Sequence, residues 1–179
     1  MALTKLNVGK IAERIVMNEL EFRGYRATDL NKDGLSANAD ILASKAGHIW
    51  QIQVKGAVNE PGKRWWIQYG HCTTAMIDKS DKVFNRRNSF YSAQYVALLA
   101  VPSPSEYQCF VLPTKQAETV AQINLDRYYR ESRKRDGGVR KPGKMWVYVQ
   151  RSERERRKDP RLDSERRILQ DHKDAWDFR

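Results

Sequence analysis

Asp40 and the run Gln53-Val54-Lys55 could place a carboxylate, an amide and an ammonium group at one end of two neighbouring strands. Asp40 leads a short apolar run, and a polar turn at residues 44–47 precedes an alternating strand that ends in Lys55. This pattern predicts a hairpin. Phosphodiester hydrolysis requires such a group of side chains: oxygen ligands for a hard divalent cation, and a positive charge near the attacking water.

A helix upstream of the hairpin could add a second carboxylate. Apolar residues recur at helical spacing between Leu6 and Arg23, and Gly24 follows as a C-terminal stop. Glu13 and Glu19 interrupt the apolar pattern on different faces of this helix. We therefore expect only one of them to serve the site, with Glu13 as the candidate and Glu19 as the alternative.

These polar positions, taken in chain order, carry a family resemblance. The helix with Glu13, then Asp40, then Gln53 and Lys55 resembles the PD-(D/E)XK nuclease superfamily in its QxK form, over roughly residues 5–115. The sequence is similar in this respect to archaeal Holliday junction resolvases and to restriction and homing endonucleases. The resemblance implies an α/β fold, with a restriction-endonuclease-like αβββαβ core in which helices flank a mixed sheet.

Two positions depart from the family pattern. Ala39 stands where the family often has Pro, which is a minor change. Gln53 stands where the family more often has Glu or Asp, so the acidic cluster has one negative charge less. We expect this substitution to weaken the binding of a cation.

The residue types assign a role to each position. Asp40 is expected to be the central ligand of Mg²⁺, which prefers carboxylate oxygens and retained waters, and Mn²⁺ is expected to substitute. Gln53 can offer a neutral amide oxygen, and the resemblance implies the carbonyl of Val54 as a further ligand. Glu13 is expected to ligate the cation through water or to assist as a base. Lys55 is expected to orient or deprotonate the attacking water and to offset charge on the phosphate.

Positive charge is concentrated in the second half of the chain. The net charge is +11, and residues 127–167 hold 16 Lys and Arg against 7 Asp and Glu. Such a basic region on a nearly neutral domain is typical of a protein that binds a polyanion. The alternative is a solvated segment, because acids are interleaved among the basic residues. The candidate phosphate contacts are Lys63, Arg64, Arg86, Arg87, Arg133, Lys134, Arg135, Arg140, Lys141 and Lys144.

The pattern of elements predicts a core at residues 1–126 and a basic C-terminal extension at 127–179, packed on the same domain. Between the hairpin and a buried strand at 94–102, residues 74–88 are expected to be partly helical. One of the adjacent Trp65 and Trp66 is expected to lie in the core. The extension is expected to hold a strand and a final helix beginning at Asp159-Pro160. The apolar face of that helix would comprise Leu162, Ile168, Leu169, His172, Ala175 and Trp176, and would cover the core or join two protomers.

Length and composition suit a reduced, cytoplasmic protein. At 179 residues the chain can build one domain with a core. No apolar run is long enough for a membrane span, and Cys72 and Cys109 cannot form a disulfide framework. We expect a Mg²⁺-dependent endodeoxyribonuclease that acts on double-stranded or branched DNA as a homodimer. The alternative is a nuclease-fold protein that binds nucleic acid with weakened or lost cleavage.

Overall fold

A computed structural model of the protein describes residues 5–31, 39–60, 62–67, 74–76, 82–84, 93–103, 106–131 and 145–178. The helices are α1 (Lys5–Phe22), α2 (Thr114–Glu131), α3 (Glu153–Lys158) and α4 (Arg161–Asp171). The strands are β1 (Arg26–Asp29), β2 (Ile41–Lys45), β3 (His48–Val58), β4 (Arg64–Ile67), β5 (Thr74–Met76), β6 (Lys82–Phe84), β7 (Tyr95–Ser103), β8 (Glu106–Pro113) and β9 (Met145–Tyr148).

A five-stranded mixed sheet forms the centre of the protein. Its strand order is β1-β2-β3-β7-β8. Strands β3 and β7 run parallel, whereas the other neighbours in this sheet run antiparallel. The predicted fold class, α/β with a mixed sheet flanked by helices, is confirmed.

The predicted hairpin of β2 and β3 is confirmed, and its turn fixes its register. Ala46 and Gly47 both have positive φ, at 51° and 81°, as a two-residue type I′ turn requires. The turn sets Ile41 opposite Ile52, and both side chains are buried in the core. In this register Asp40, the residue just before β2, lies beside Gln53.

The two faces of the sheet carry separate cores, as the alternation along β7 shows. Ala97, Leu99 and Val101 pack in the cluster that contains α1, whereas Val96, Leu98 and Ala100 pack in the cluster that contains α2. Successive side chains of a strand point to opposite faces, so α1 and α2 lie on opposite sides of the sheet. The prediction that this apolar run is a strand buried on both faces is confirmed.

The packing of α1 on β3 depends on a glycine. A Cβ at Gly56 would lie 2.7 Å from the carbonyl oxygen of Val8 and 2.8 Å from the Cβ of Ala12. Both contacts are shorter than side chains tolerate, so the close approach of the helix to the strand requires glycine here. This approach sets the height of Glu13, one residue after Ala12, above the sheet.

A smaller sheet of two strands packs beside the central sheet. Strands β4 and β9 pair antiparallel, and Trp65 of β4 is 1% exposed, with its indole N–H donating to the carbonyl of Leu99 at 2.7 Å. The prediction that one of the two adjacent tryptophans is a core residue is therefore confirmed. Residue 127, at which the basic extension is expected to begin, lies within α2.

Two predictions about elements require correction. In the segment 74–88, which was expected to be partly helical, residues 74–76 and 82–84 form the paired strands β5 and β6, in keeping with their β-branched and aromatic residues. The other residues of that segment lie outside the described part of the chain. The final helix ends at Asp171, so Ala175 and Trp176 do not share its apolar face. The backbone leaves the helix because it bonds to the edge of β8 instead: the N–H of Val111 donates to the carbonyl of His172 at 2.9 Å. Trp176 packs in the same core cluster as α1.

None of the helices in the described part of the chain is long and apolar enough to span a bilayer.

Candidate active site

The Asp40 carboxylate lies at the centre of a group of polar residues drawn from three strands and α1. Its Oδ2 accepts hydrogen bonds from the backbone N–H of Val54, at 2.7 Å, and from the side-chain amide of Gln53. Its Oδ1 accepts a hydrogen bond from the side-chain amide of Asn31 at 3.3 Å. Three donors therefore fix the orientation of this carboxylate.

The backbone at Asp40 is held between the two neighbouring strands. The N–H of Asp40 donates to the carbonyl of Ile52, and its carbonyl accepts from the N–H of Leu30, both at 2.9 Å. The ladder between β1, β2 and β3 thus continues one residue beyond the start of β2. Since the backbone is fixed on both sides, the side chain projects from a rigid position, as a site that binds a cation requires.

Gln53 is a buried polar residue beside this carboxylate. It is 5% exposed, and its amide N–H₂ donates to Asp40. A buried amide that lacks a partner would destabilise the protein, so this hydrogen bond accounts for a polar residue at a core position. The amide could present its oxygen to a cation if the side chain turned over, because the two ends of an amide group have the same shape.

Glu13 on α1 is half-buried and lies within electrostatic reach of the same group. Burial raises the pKa of the Glu13 carboxyl, and the nearby charges of Asp40 and Asp29 raise it further. A hydrogen bond from the side chain of Asn31 and the positive charge of Lys55 act in the opposite direction. The structure therefore brings together all four catalytic positions predicted from the sequence.

Lys55 completes the group from β3. Because side chains alternate along a strand, Gln53 and Lys55 lie on the same face of β3, and Val54 lies on the other. The side chain of Val54 packs in the core with α1, while its backbone N–H points at Asp40. The N–H and C=O of one residue in an extended strand point to the same side, and the Val54 N–H donates to Asp40, so the Val54 carbonyl is directed to the side of Asp40.

The donor atoms fit a hard divalent cation. They are the carboxylates of Glu13 and Asp40, the amide oxygen of Gln53 and the carbonyl of Val54, and all are oxygens of the kind that Mg²⁺ and Mn²⁺ prefer. Within the described ranges no three His, Cys, Asp or Glu side chains are grouped so that they alone could hold a metal ion. Two protein carboxylates with waters and a substrate phosphate are the usual ligands of Mg²⁺.

Two polar residues that the sequence prediction did not include lie at this site. Asn31 contacts Asp40 and Glu13, and Asp29 acts on Glu13 through its charge. Asp29 also accepts a hydrogen bond from the backbone N–H of Asn31 at 2.9 Å, which is the local turn expected where Asp and Asn follow a strand. The Asp-x-Asn spacing is a signal of that turn, but it gives no indication of what the turn adjoins.

Glu19, the alternative to Glu13, is engaged elsewhere. Its carboxylate accepts hydrogen bonds from the guanidinium of Arg23 and from the hydroxyl of Tyr107. Burial, followed by this hydrogen bond and the charge of Glu19, raises the pKa of Tyr107 to about 12. Glu13 is therefore the glutamate of α1 that adjoins Asp40.

Two of the predicted phosphate contacts can be located. Lys63 is exposed and lies 3.5 Å from the carboxylate of Glu60, also exposed. The guanidinium of Arg64 stacks over the ring of Tyr148, 4.4 Å from its centre. The remaining eight, Arg86, Arg87, Arg133, Lys134, Arg135, Arg140, Lys141 and Lys144, lie outside the described residues.

No family model and no curated protein matches the sequence. Among solved structures, the chain is similar to that of the bacterial homing endonuclease I-Ssp6803I, with 14% sequence identity and a TM-score of 0.46. The match covers 96% of this chain and 95% of the other.

Proposed function

We propose that this protein is a Mg²⁺-dependent endonuclease that hydrolyses phosphodiester bonds of DNA, with Mn²⁺ able to replace Mg²⁺. One set of interactions supports the proposal: the Gln53 amide donates a hydrogen bond to the Asp40 carboxylate, and the charges of Asp40 and Lys55 both act on Glu13. Two carboxylates, an amide and an ammonium group beside one another are suited to hold a cation and a phosphate together.

Each residue has a task in this reaction. Asp40 and Glu13 would hold Mg²⁺, with the Gln53 amide oxygen and the Val54 carbonyl as further ligands. The bound cation would lower the pKa of the attacking water and stabilise charge on the phosphate. Lys55 would place its ammonium group against the negative charge that develops during the attack. The hydrogen bond from the Val54 N–H to Asp40 keeps the carboxylate oriented without a contribution from solvent.

The charge of the protein supports DNA as the substrate. Positions 127–167 hold 16 basic residues against 7 acidic ones, and this excess of positive charge would attract a polyanion. We propose double-stranded or branched DNA, bound in the cytoplasm by a homodimer. A twofold axis would present one site to each strand of a duplex, whose backbones are themselves related by twofold symmetry.

A second candidate is a nucleic-acid-binding protein of this fold that no longer cleaves. The amide of Gln53 favours it, because a neutral group at this position gives the site one negative charge less than a carboxylate would. Such a protein would bind DNA with the same dependence on salt but would not cut it. Binding alone therefore cannot separate the two candidates, whereas cleavage can.

A metal-titrated cleavage assay on duplex, single-stranded and branched DNA tests the proposal. We expect cleavage that requires Mg²⁺ or Mn²⁺, and that Asp40→Asn or Lys55→Ala reduces by at least ~100-fold while DNA binding persists. Asp163→Asn and Lys115→Ala, at exposed positions on α4 and α2, are the matched controls. Metal-dependent cutting by the Asp40→Asn protein at the native rate would exclude this site, and DNA binding without cutting by the native chain would support the second candidate.

A further inference from the structure

Asn31 links the two carboxylates of the site, although the chemistry proposed above gives it no task. Its side-chain amide donates to Asp40 Oδ1 at 3.3 Å. The Asn31 side chain also acts on Glu13, because a hydrogen bond from it lowers the pKa of that carboxyl. An asparagine N–H₂ group has two N–H donors, so one side chain can serve two acceptors at once. Glu13 comes from α1 and Asp40 from the start of β2, so this contact joins two elements.

The position of Asn31 is itself fixed by the backbone around it. Its N–H donates to Asp29 Oδ1 at 2.9 Å, which forms a closed turn at the end of β1. The preceding residue, Leu30, donates its N–H to the carbonyl of Asp40 at 2.9 Å. The amide therefore reaches the carboxylates from a strand end that is already bonded to the residue it contacts.

We propose that Asn31 is a positioning residue, which holds the Glu13 and Asp40 carboxylates at the separation that a divalent cation needs. The inference rests on the proposed function. Two neighbouring carboxylates repel each other, and a shared donor between them offsets that repulsion before the cation arrives. Removal of the donor would leave both ligands present but free to move apart.

Residues that orient metal ligands change the affinity for the metal more than the chemistry that follows. Substitution of such a residue typically weakens metal binding by about 10–100-fold. For Asn31→Ala we expect an increase of this size in the Mg²⁺ concentration that gives half-maximal cleavage. At saturating Mg²⁺ the rate should return to within about threefold of the native value, because the ligands and Lys55 remain in place. Asn31→Ser, which keeps one hydroxyl donor, should give an intermediate shift.

Metal binding can also be measured without turnover. The Lys55→Ala chain serves as a background in which bound duplex DNA is expected to stay intact. Calorimetric titration of Mn²⁺ into its complex with DNA gives a dissociation constant, and addition of Asn31→Ala should raise that constant by about 10–100-fold. Thr28→Ala, at an exposed position on β1, is the matched control and should leave both measurements unchanged. Thermal melts verify that each variant is folded.

The outcomes separate this inference from the function on which it rests. If the native chain does not cleave DNA and the Lys55→Ala complex with DNA does not bind Mn²⁺, the proposed function fails. If cleavage and Mn²⁺ binding are both observed, and Asn31→Ala alters neither the half-maximal Mg²⁺ concentration nor the Mn²⁺ dissociation constant, the positioning role of Asn31 is wrong. A lower melting temperature of Asn31→Ala without any change in metal affinity would also refute it, since Asn31 would then only stabilise the turn after β1.

Discussion

The Gln53 side-chain amide donates a hydrogen bond to the Asp40 carboxylate, so a neutral residue lies directly against the central acid of the site. This contact satisfies a polar group that is 5% exposed, and it keeps a second negative charge away from Asp40. Stability and cation binding therefore make opposite demands on position 53.

Gln53→Glu should strengthen the binding of Mg²⁺ or Mn²⁺ by the protein without DNA. The substitution adds a carboxylate beside Asp40, and the affinity of oxygen sites rises with the number of charged ligands. We expect the dissociation constant to fall on the order of tenfold. The metal-free protein should melt at a lower temperature, because it loses an N–H donor and gains a repulsive charge.

Gln51→Glu is the control for this prediction. Gln51 lies two residues earlier on β3, on the same face but nearer the turn, so it tests for a general effect of charge. Calorimetry with Mn²⁺ and thermal melts compare the two variants. Equal affinities in the Gln53→Glu and native proteins would show that this side chain does not face the cation.

Glu13→Gln should stabilise the metal-free protein at neutral pH. Burial and the charges of Asp40 and Asp29 raise the folded-state pKa of Glu13 above its ordinary value, so the fold favours the protonated carboxyl. Its contribution to stability is complete below the unfolded-state pKa and is lost as pH rises through the folded-state pKa. The variant should therefore melt higher than the native protein at pH 7, and the difference should vanish below the ordinary carboxyl range.

The same variant should lose cleavage on the order of 10–100-fold, because an amide is a poorer ligand and cannot act as a base. Glu21→Gln, at an exposed position on the same helix, should change neither melting nor cleavage. Melting curves between pH 4 and pH 8 measure the first effect. A native protein that is more stable than Glu13→Gln at pH 7 would contradict the electrostatic account of the site.

The hairpin and the position of Asp40 beside it could be predicted from the sequence because the signals are local. The alternation from Ile49 to Lys55 has a period of two residues, and Ala46-Gly47 supplies the positive φ that the turn needs. The alignment of Asp40 with Gln53 follows from that turn. The fold class follows from the same reasoning, because a helix, a hairpin and a strand buried on both faces leave few ways to assemble a sheet.

The remaining features depend on contacts between distant parts of the chain. The role of Asn31 depends on where α1 places Glu13, and the periodicity of the sequence does not predict how close a helix residue and a strand end come to each other. The end of α4 depends on an exchange of hydrogen bonds with the edge of β8, more than 50 residues earlier. The helical expectation at residues 74–76 and 82–84 failed for a similar reason, because the pairing of β5 with β6 decides the conformation of a segment whose periodicity is weak.

Gly56→Ala should destabilise the protein and reduce cleavage together. The added Cβ would meet the Val8 carbonyl oxygen at 2.7 Å, and a backbone atom within a helix cannot give way locally. Overpacking of this kind costs about 1–3 kcal/mol. We expect α1 to move away from β3 to remove this clash, and the movement would carry Glu13 away from Asp40. A misplacement of about 1 Å can reduce a rate on the order of 100-fold.

Gly9→Ala is the matched control, since Gly9 lies in the same helix and an added Cβ there meets no atom within 4 Å. We expect that variant to gain about 0.5–1 kcal/mol of stability from the helical preference of alanine, with cleavage unchanged. Denaturant unfolding and cleavage rates measure both variants. A Gly56→Ala protein as stable and active as the native one would show that the approach of α1 to β3 is looser than the structure has it.

The affinity for DNA should fall steeply with salt, and the basic residues at 127–167 should account for much of the slope. Each neutralised phosphate contributes about −0.9 to the slope of log K against log salt, so five to eight contacts would give a slope on the order of −4 to −7. Replacement of Arg133, Lys134 and Arg135 by alanine should flatten the slope by up to about 3 and weaken binding to all sequences alike. A control with the same loss of charge replaces the exposed Lys45, Lys115 and Lys173, and should flatten it less. Equal slopes for the two triple variants would mean that the affinity for DNA depends only on the net charge of the protein. A native slope near zero would mean that the basic residues are solvated and do not contact phosphates.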